Sequence, residues 1–246
     1  VEVFKENVNT SIESYKNSSY EKVKKYERFK FLSDHVLKMV DPNCKILDIG
    51  CAKGEFIYYL KSVLNDETIK YCGFDLSDEL IAIAKNEPEL SGVKFVTADV
   101  LNFELNEKFD ILIMSGVLSI FDDFEKPLRQ MFKHMHNKSV GYIFGCFNDD
   151  DIDVIVRYRN NYAGSTVWES GYNNYSLKTI DKFIKTFCNE VNLYKFDLSI
   201  DLPKEDDPVK SFTLNTVEKG RIITCGAKQI TDFWLIEVKD IVDRID

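Results

Sequence analysis

A repeated pattern of short apolar runs, each closing on a small or acidic residue, constrains this chain more than any single motif: "KILDIG", "IKYCGFDL", "VKFVTADV" and "FDILIMSG". Each is too short for a buried helix and too continuously apolar for a strand with a wet face. Each therefore reads as a strand buried on both sides of a parallel sheet. Between them, "EFIYYLKSVL" and "DELIAIAKNE" carry a helical period. This alternation predicts βαβ units, helices on both faces of the sheet, and ligands held at the carboxyl ends of the strands. The rhythm continues with a helix in "FEKPLRQMFKHMH", a fifth strand in "VGYIFGCFN" and a helix in "SLKTIDKFIKTFCNE" with Ser176 as its N-cap. "VNLYKFDLSIDL" and "RIITCGAKQITDFWLIEVKD" read as the last strands, with the polar stretch "PKEDDPVKSFTLNTVEKG" between them.

Ahead of the first strand, Val23, Tyr26, Phe29, Leu32, Val36, Leu37 and Val40 fall near one helical face, which predicts a single amphipathic helix over residues 20–40. The chain thus reads as one domain in four parts: a helical cap (1–41), a core (42–150), an aperiodic insertion rich in aromatics, Arg and Gly (151–175), and a C-terminal helix with strands (176–246). Lys and Arg number 32 against 41 Asp and Glu, a net charge of −9 that repels nucleic acid and anionic membranes. Six cysteines lack CxxC or CxH spacing, and most lie in strand or turn segments, so they read as reduced thiols and favour the cytoplasm. Neither an export signal nor a membrane span is expected, and no His/Cys/Asp cluster has metal-ligand spacing.

The chemistry concentrates in "CKILDIGCAKGEF". A strand that ends in Asp-x-Gly and hands over to a helix leaves backbone N–H groups free to meet a ligand, and Gly50 and Gly54 remove side chains that would block the approach. The glycines are spaced G-x-x-x-G around Ala52, not G-x-G-x-x-G, which disfavours a nicotinamide dinucleotide. Asp48 suits a cation or an ammonium rather than a pyrophosphate. Asp75 closes the second strand, where two carboxylate oxygens match the vicinal hydroxyls of a ribose, and Asp99 closes the third, within reach of an adenine amine. The plainer alternatives are that Asp48 caps its turn and Asp75 caps the helix after "LSDEL".

With these residues the chain resembles the class I S-adenosylmethionine-dependent methyltransferases of the small-molecule type. "ILDIGCAKGEF", "GFDLS", "TADV" and "FDILIMSGVLSIFDD" look like four motifs of that family, in order, and "RIITCGAKQITDFWLIEVKD" is similar to its closing β-hairpin. The resemblance implies a Rossmann-like, seven-stranded, mostly parallel sheet with the last strand antiparallel and an N-terminal helical lid. It also implies S-adenosylmethionine as cofactor and S-adenosylhomocysteine as product. By the same resemblance Gly50, Cys51, Ala52 and Gly54 line the methionine part, Asp48 holds its ammonium, Asp75 and Leu76 meet the ribose side, Asp99 and Val100 the adenine, and Ser115 and Gly116 border the pocket. Ala52 stands where many members carry glycine.

No Asp/Asn-Pro-Pro-Tyr/Phe follows the fourth strand, where "MSGVLSIF" stands instead, so oxygen is the expected acceptor. His35, His134 and His136 are not placed to act as a base, and an anionic acceptor needs none. Asn148, Asp149 and Tyr175 are the catalytic candidates on topology. In the insertion, Arg157 and Arg159 suit a phosphate or carboxylate, or else pair with "NDDDID" upstream. Trp168 and Tyr172 would stack on a sugar or close the pocket, and Tyr15 and Tyr20 would cover the cofactor; packing and a frayed terminus are the competing explanations. The expected activity is O-methylation of a small polar acceptor, such as a sugar or a phosphorylated precursor of a bacterial surface glycan (capsule). A small-molecule N-methyltransferase and a non-catalytic partner subunit of the same fold are the alternatives. A small-molecule substrate is the expected partner, with a homodimer left open.

Overall fold

The computed structural model describes residues 12–13, 15–161, 164–205, 210–225 and 230–242; the first eleven residues of the expected cap lie outside them. Strands β1 (Lys45–Ile49), β2 (Lys70–Asp75), β3 (Lys94–Thr97), β4 (Phe109–Ser115) and β5 (Met135–Asn148) pair in parallel, in the spatial order β3-β2-β1-β4-β5. Beyond β5 the sheet accepts the antiparallel β12 (Ile230–Ile241), whose other edge pairs with β9 (Cys188–Phe196). The expected mostly parallel core is therefore present, and an antiparallel strand follows it. Three short additions bring the sheet to ten strands: β8 (Tyr175–Ser176) on β5, and the hairpin β10 (Ser211–Thr216) with β11 (Gly220–Cys225). β10 falls in the polar stretch that sequence pattern did not mark as a strand. Its only apolar residues, Phe212 and Leu214, alternate over too short a run within a polar stretch to mark a strand.

β1 shows how the sheet divides two cores. Leu47 and Ile49 face one core, which is covered by α5 (Glu125–Lys133) through Leu128, Met131 and Phe132 and by α6 (Leu177–Ile184) through Ile180 and Ile184. Ile46 faces the other, beneath α3 (Glu55–Leu64) and α4 (Asp78–Asn86). Successive strand residues point to opposite faces, so Asp48 shares the Ile46 side. Ser176 caps α6 by accepting from Lys178 N–H at 3.2 Å, and Ser77 caps α4 by accepting from Leu80 N–H at 3.3 Å.

The single cap helix expected over 20–40 is broken into α1 (Tyr20–Val23) and α2 (Glu27–Val36). The break lets Tyr20 stay at the sheet's carboxyl edge while Phe29, Leu32 and Val36 bury, with Phe29 packed on Phe56 and Tyr59 of α3. Leu37, counted on the apolar face, is 39% exposed, because it follows the last turn of α2. The strand β5 also begins earlier than expected, so His136 is a strand residue paired with Asp110 at 3.0 Å, and His134 is the C-cap of α5, stacked on Phe103.

The insertion contains the small ribbon β6 (Arg157–Tyr158) and β7 (Glu169–Ser170) and is moored to the loop after β4. Asn173, 1% exposed, does most of this. Its side chain donates to Phe121 O at 2.8 Å and Asp122 Oδ1 at 3.1 Å and accepts from Val156 N–H at 3.0 Å. Asn173→Ala leaves the buried Val156 N–H without its partner, at ~1–3 kcal/mol for an unsatisfied polar group, while Phe121 O keeps the Tyr175 hydroxyl. Urea unfolding of the variant is expected to show that loss together with faster proteolytic nicking within 150–175; nicking unchanged from the native chain would mean that the insertion is held elsewhere.

Candidate functional site

The turn joining β1 to α3 supplies the floor of the site. Gly50, Ala52 and Gly54 have φ of 70°, 49° and 79°, so the backbone is left-handed at alternate positions. A Cβ at Gly50 would stand 2.7 Å from Val117 Cγ2, and one at Gly54 would stand 2.8 Å from Phe95 Cζ. The two glycines thus differ in role. Gly50 lets the turn approach the loop after β4, whereas Gly54 lets it settle onto β3, beneath the cleft. Ala52 adopts the left-handed region with a Cβ, a conformation costing ~1–2 kcal/mol, and its N–H donates to Asp75 Oδ2 at 2.9 Å.

Asp75 ties the turn to the end of β2, accepting from Ala52 on one oxygen and from Ser77 N–H at 3.0 Å on the other. Burial raises its pKa, and the backbone donors oppose the rise. Asp48 is 3% exposed and takes no hydrogen bond from any described residue. Its pKa is pushed up to about 7 by burial and then by the nearby Asp75 carboxylate. Cys51 is buried between these carboxylates and its thiol is held well above its ordinary range, so it is a packing residue of the turn and not a nucleophile. Leu76, 53% exposed, stands beside Asp75 as an apolar platform. Asp99 is exposed and spends Oδ1 on Leu101 N–H at 2.9 Å, leaving Oδ2 open, while Val100 is buried. Gly116, at φ 73°, anchors to β5 through its N–H to Phe144 O at 2.8 Å, with Ser115 half-buried before it.

A buried ionic group in the same turn escaped the sequence analysis. Lys53, 2% exposed, donates from Nζ to Ser18 O and lies 3.9 Å from Glu55 Oε1, and Glu55 accepts from Ser18 Oγ. The Lys53 ammonium sits 4.7 Å from the centre of the Tyr20 ring, and the Tyr20 hydroxyl donates to Lys53 O at 2.6 Å. Burial lowers the pKa of Lys53. These contacts fasten the cap to the turn. Two charged residues flanking Gly54 were the available signal, but their partners lie more than thirty positions upstream.

Several candidates gather over this floor. Tyr15 is 39% exposed, and burial pushes the pKa of its hydroxyl up to about 12. Others do not gather there as expected. The Arg157 guanidinium pairs with Asp122, neither free nor bound to the acidic run upstream, because β6 runs alongside the loop after β4. Arg159 donates to Asn161 Oδ1 at 3.1 Å and lies 5.4 Å from the Trp168 ring, at the outer end of the ribbon. Tyr175 is 3% exposed, donates to Phe121 O and packs edge-on against Phe124. Its hydroxyl is committed to holding the insertion and is not available as a base. Asn148 donates to Ile152 O at 3.1 Å and Asn174 Oδ1 at 3.2 Å, so it too secures the insertion, and Asp149 is exposed at the mouth.

An α/β sheet with this strand order, a glycine turn after β1 and an acidic end to β2 defines a methyltransferase-like fold. A family model described as a methyltransferase domain matches residues 40–186, more than half of the chain, and the chain belongs to that family. Malonyl-[acyl-carrier protein] O-methyltransferase of Bacillus anthracis is 25% identical over 91 residues, which cover 37% of this chain and 33% of that protein. The match therefore spans about a third of that curated relative. Among solved structures, the plantazolicin methyltransferase BpumL, in complex with a pentazolic desmethylPZN analogue and S-adenosylhomocysteine, shares the fold with a TM-score of 0.55 at 16% identity. It covers 96% of this chain and 93% of its own. The N-methyltransferase NodS from Bradyrhizobium japonicum, with S-adenosylhomocysteine, gives 0.50 at 15% identity, over 91% and 89%.

Asp48 makes the ligand-free protein sensitive to pH in a defined direction. Its folded pKa of about 7 lies above its ordinary value of 3.8. Its contribution is therefore fully present below about pH 4 and is lost as pH rises to about 7. Asp48→Asn removes this dependence and is expected to leave the protein more stable at pH 8, on the order of 3 kcal/mol. Denaturant midpoints of both proteins from pH 4 to 8 test this; parallel profiles would show that Asp48 does not titrate in that window.

Proposed function

We propose that the chain transfers a methyl group from S-adenosylmethionine to an oxygen of a small polar acceptor held beneath the insertion. The observation that carries the reading is the buried Asp48 carboxylate, without a partner among the described residues and raised in pKa beside Asp75. A carboxylate so placed awaits a cationic donor, and an α-ammonium is one. Asp75 uses one lone pair on each oxygen for backbone N–H groups and keeps the others for two ribose hydroxyls. Leu76 and Val100 offer apolar contact to a flat base, and the open oxygen of Asp99 can accept its exocyclic amine. The cofactor supplies an electrophilic methyl on a sulfonium.

The protein's part is alignment: transfer is an in-line displacement, and positioning supplies much of its acceleration. The candidate bases are spent on structure or stand at the mouth, which suits an acceptor that arrives as an oxyanion and needs no proton removed. Support for oxygen is the absence of a Pro-Pro motif after β4 and the name of the curated relative, an O-methyltransferase. The exposed Trp168 (61%) and Tyr172 (44%) on the insertion support a sugar or phosphorylated glycan precursor within that class.

Calorimetry with S-adenosylhomocysteine tests the cofactor. Ligand ammonium lowers the Asp48 pKa, so binding below pH 7 releases a proton. Affinity is then expected to climb up to about tenfold per pH unit and to level off above pH 7. Binding without this slope would remove Asp48 from the ammonium site, and no binding by folded protein would overturn the reading. Asp75→Ala is expected to weaken binding by ~2–4 kcal/mol through lost charge-assisted hydrogen bonds. Arg157→Ala, which removes the Asp122 pair and a bond to Val156 O, should leave the acceptor KM unchanged once an acceptor is known; a rise would assign Arg157 to the substrate.

A further inference from the structure

The cap is held to the core in two chemically different ways. α2 buries the apolar side chains of Phe29, Leu32 and Val36, and Phe29 packs on Phe56 and Tyr59. Ahead of it, residues 15–23 contain one fully buried side chain, Val23, and otherwise meet the core through charges, hydroxyls and ring faces. Lys53 Nζ donates to Ser18 O, Ser18 Oγ donates to Glu55 Oε1, and Tyr20 Oη donates to Lys53 O at 2.6 Å. Tyr58 Oη donates to Glu21 Oε1 at 3.2 Å, and its ring centre lies 4.9 Å from that of Tyr20. Between the two attachments Tyr26 is extended, with φ −77° and ψ 109°, so α1 does not run on into α2.

Residues 15–23 also reach both of the elements that Asp75 ties together. Asp75 accepts from Ala52 in the turn and from Ser77 at the start of α4. Lys53, next to Ala52, holds Ser18, while Glu79, two residues past Ser77, pairs with Lys16. The chain from Lys16 to Ser18 therefore spans from α4 to the turn at the carboxyl end of β2, where the proposed function puts the ribose. A seam of this chemistry is suited to opening. Lys53 and Glu55, with side chains 2% and 6% exposed, gain water when it parts, and their hydration offsets most of the lost contact. Peeling α2 away would instead expose apolar surface, at ~25 cal/mol per Å².

We infer that residues 15–23 form a strap across the cofactor cleft, latched through Ser18 by the Lys53–Glu55 pair, which swings about residues 24–26 to admit and release the cofactor while α2 stays in place. While the latch is closed, strap and turn move together. Once it parts, only the strap leaves.

The inference rests on the methyl-transfer reading, and its test separates the two. Hydrogen exchange of the full chain is followed by mass spectrometry, and association and dissociation of S-adenosylhomocysteine by surface plasmon resonance. In native protein the amides of 15–23 are expected to exchange about tenfold faster than those of α2, and saturating ligand to slow the strap alone. Lys53→Met strands Glu55 in the closed seam, so exchange in 15–23 is expected to quicken a further tenfold with α2 unchanged. The double variant Ser18→Ala, Tyr20→Phe alters the strap and leaves the turn's own side chains intact. It is expected to raise both ligand rate constants about threefold or more, with the dissociation constant changing less than either, because a gate lies on the path in both directions. Exchange that quickens equally in 15–23 and α2 would show the cap to move as one piece and overturn the inference. So would a rise in the dissociation rate alone, which would make these contacts mere supports of the bound state, or strap exchange indifferent to bound ligand. A protein that ignores S-adenosylhomocysteine, but whose strap alone loosens in both variants, would uphold the hinged latch while the cofactor reading fell.

Discussion

The Asp75 carboxylate joins the two halves of the candidate site, and the rest of the site's geometry depends on it. One oxygen takes the N–H of Ala52 and the other that of Ser77, so a single side chain at the end of β2 fixes both the turn after β1 and the entry into α4. The turn needs such an anchor because Gly50, Ala52 and Gly54 are all left-handed and Ala52 is there against its preference. Without an external acceptor the Ala52 N–H would have no regular-structure partner, and nothing local would hold that conformation. The same carboxylate raises the pKa of Asp48, so the interaction that shapes the turn also prepares its charge.

Stability and ligand readiness oppose one another in this region. Asp48 is buried with no hydrogen bond from a described residue, a condition that costs folding free energy whenever the group is ionised. Lys53 and Glu55, buried a few residues further on, solve the same problem differently. They lie 3.9 Å apart and both meet Ser18, so each charge has a partner. A buried pair of this sort contributes little net stability, but removing either member would strand the other. Its consequence is positional, since it makes the cap and the turn move as one unit.

The insertion is secured by a comparable arrangement on the other side of the cleft. Asn173, Tyr175 and Arg157 all bond the loop after β4, at Phe121 and Asp122. The residues that looked most like catalytic or anion-binding groups within that segment are the ones that hold it down, leaving Tyr172 and Trp168 outward. The insertion is thus held by a loop that is distant from it in sequence.

The alternation of buried strands and amphipathic helices, the glycine turn and the acidic ends of β1, β2 and β3 were legible in the amino-acid sequence. Each is a local property: hydrophobic period, strand length and turn chemistry act over a few residues and leave a pattern in them. The break between α1 and α2 and the strand β10 were not legible. The first is imposed by packing on α3, and the second carries only two apolar residues, Phe212 and Leu214, within a polar stretch. Roles at the site followed the same division. Asp48 and Asp75 could be singled out because strand ends define where side chains go. Whether Arg157 was free, whether Tyr175 was committed to a structural bond, and that Lys53, Glu55 and Ser18 join the cap to the turn were decided by tertiary structure alone. Arg157 bonds Asp122, Tyr175 bonds Phe121, and Lys53 and Glu55 both bond Ser18, each 35 or more residues away, and a hydrogen bond or ion pair across such a distance leaves no periodic trace in the chain.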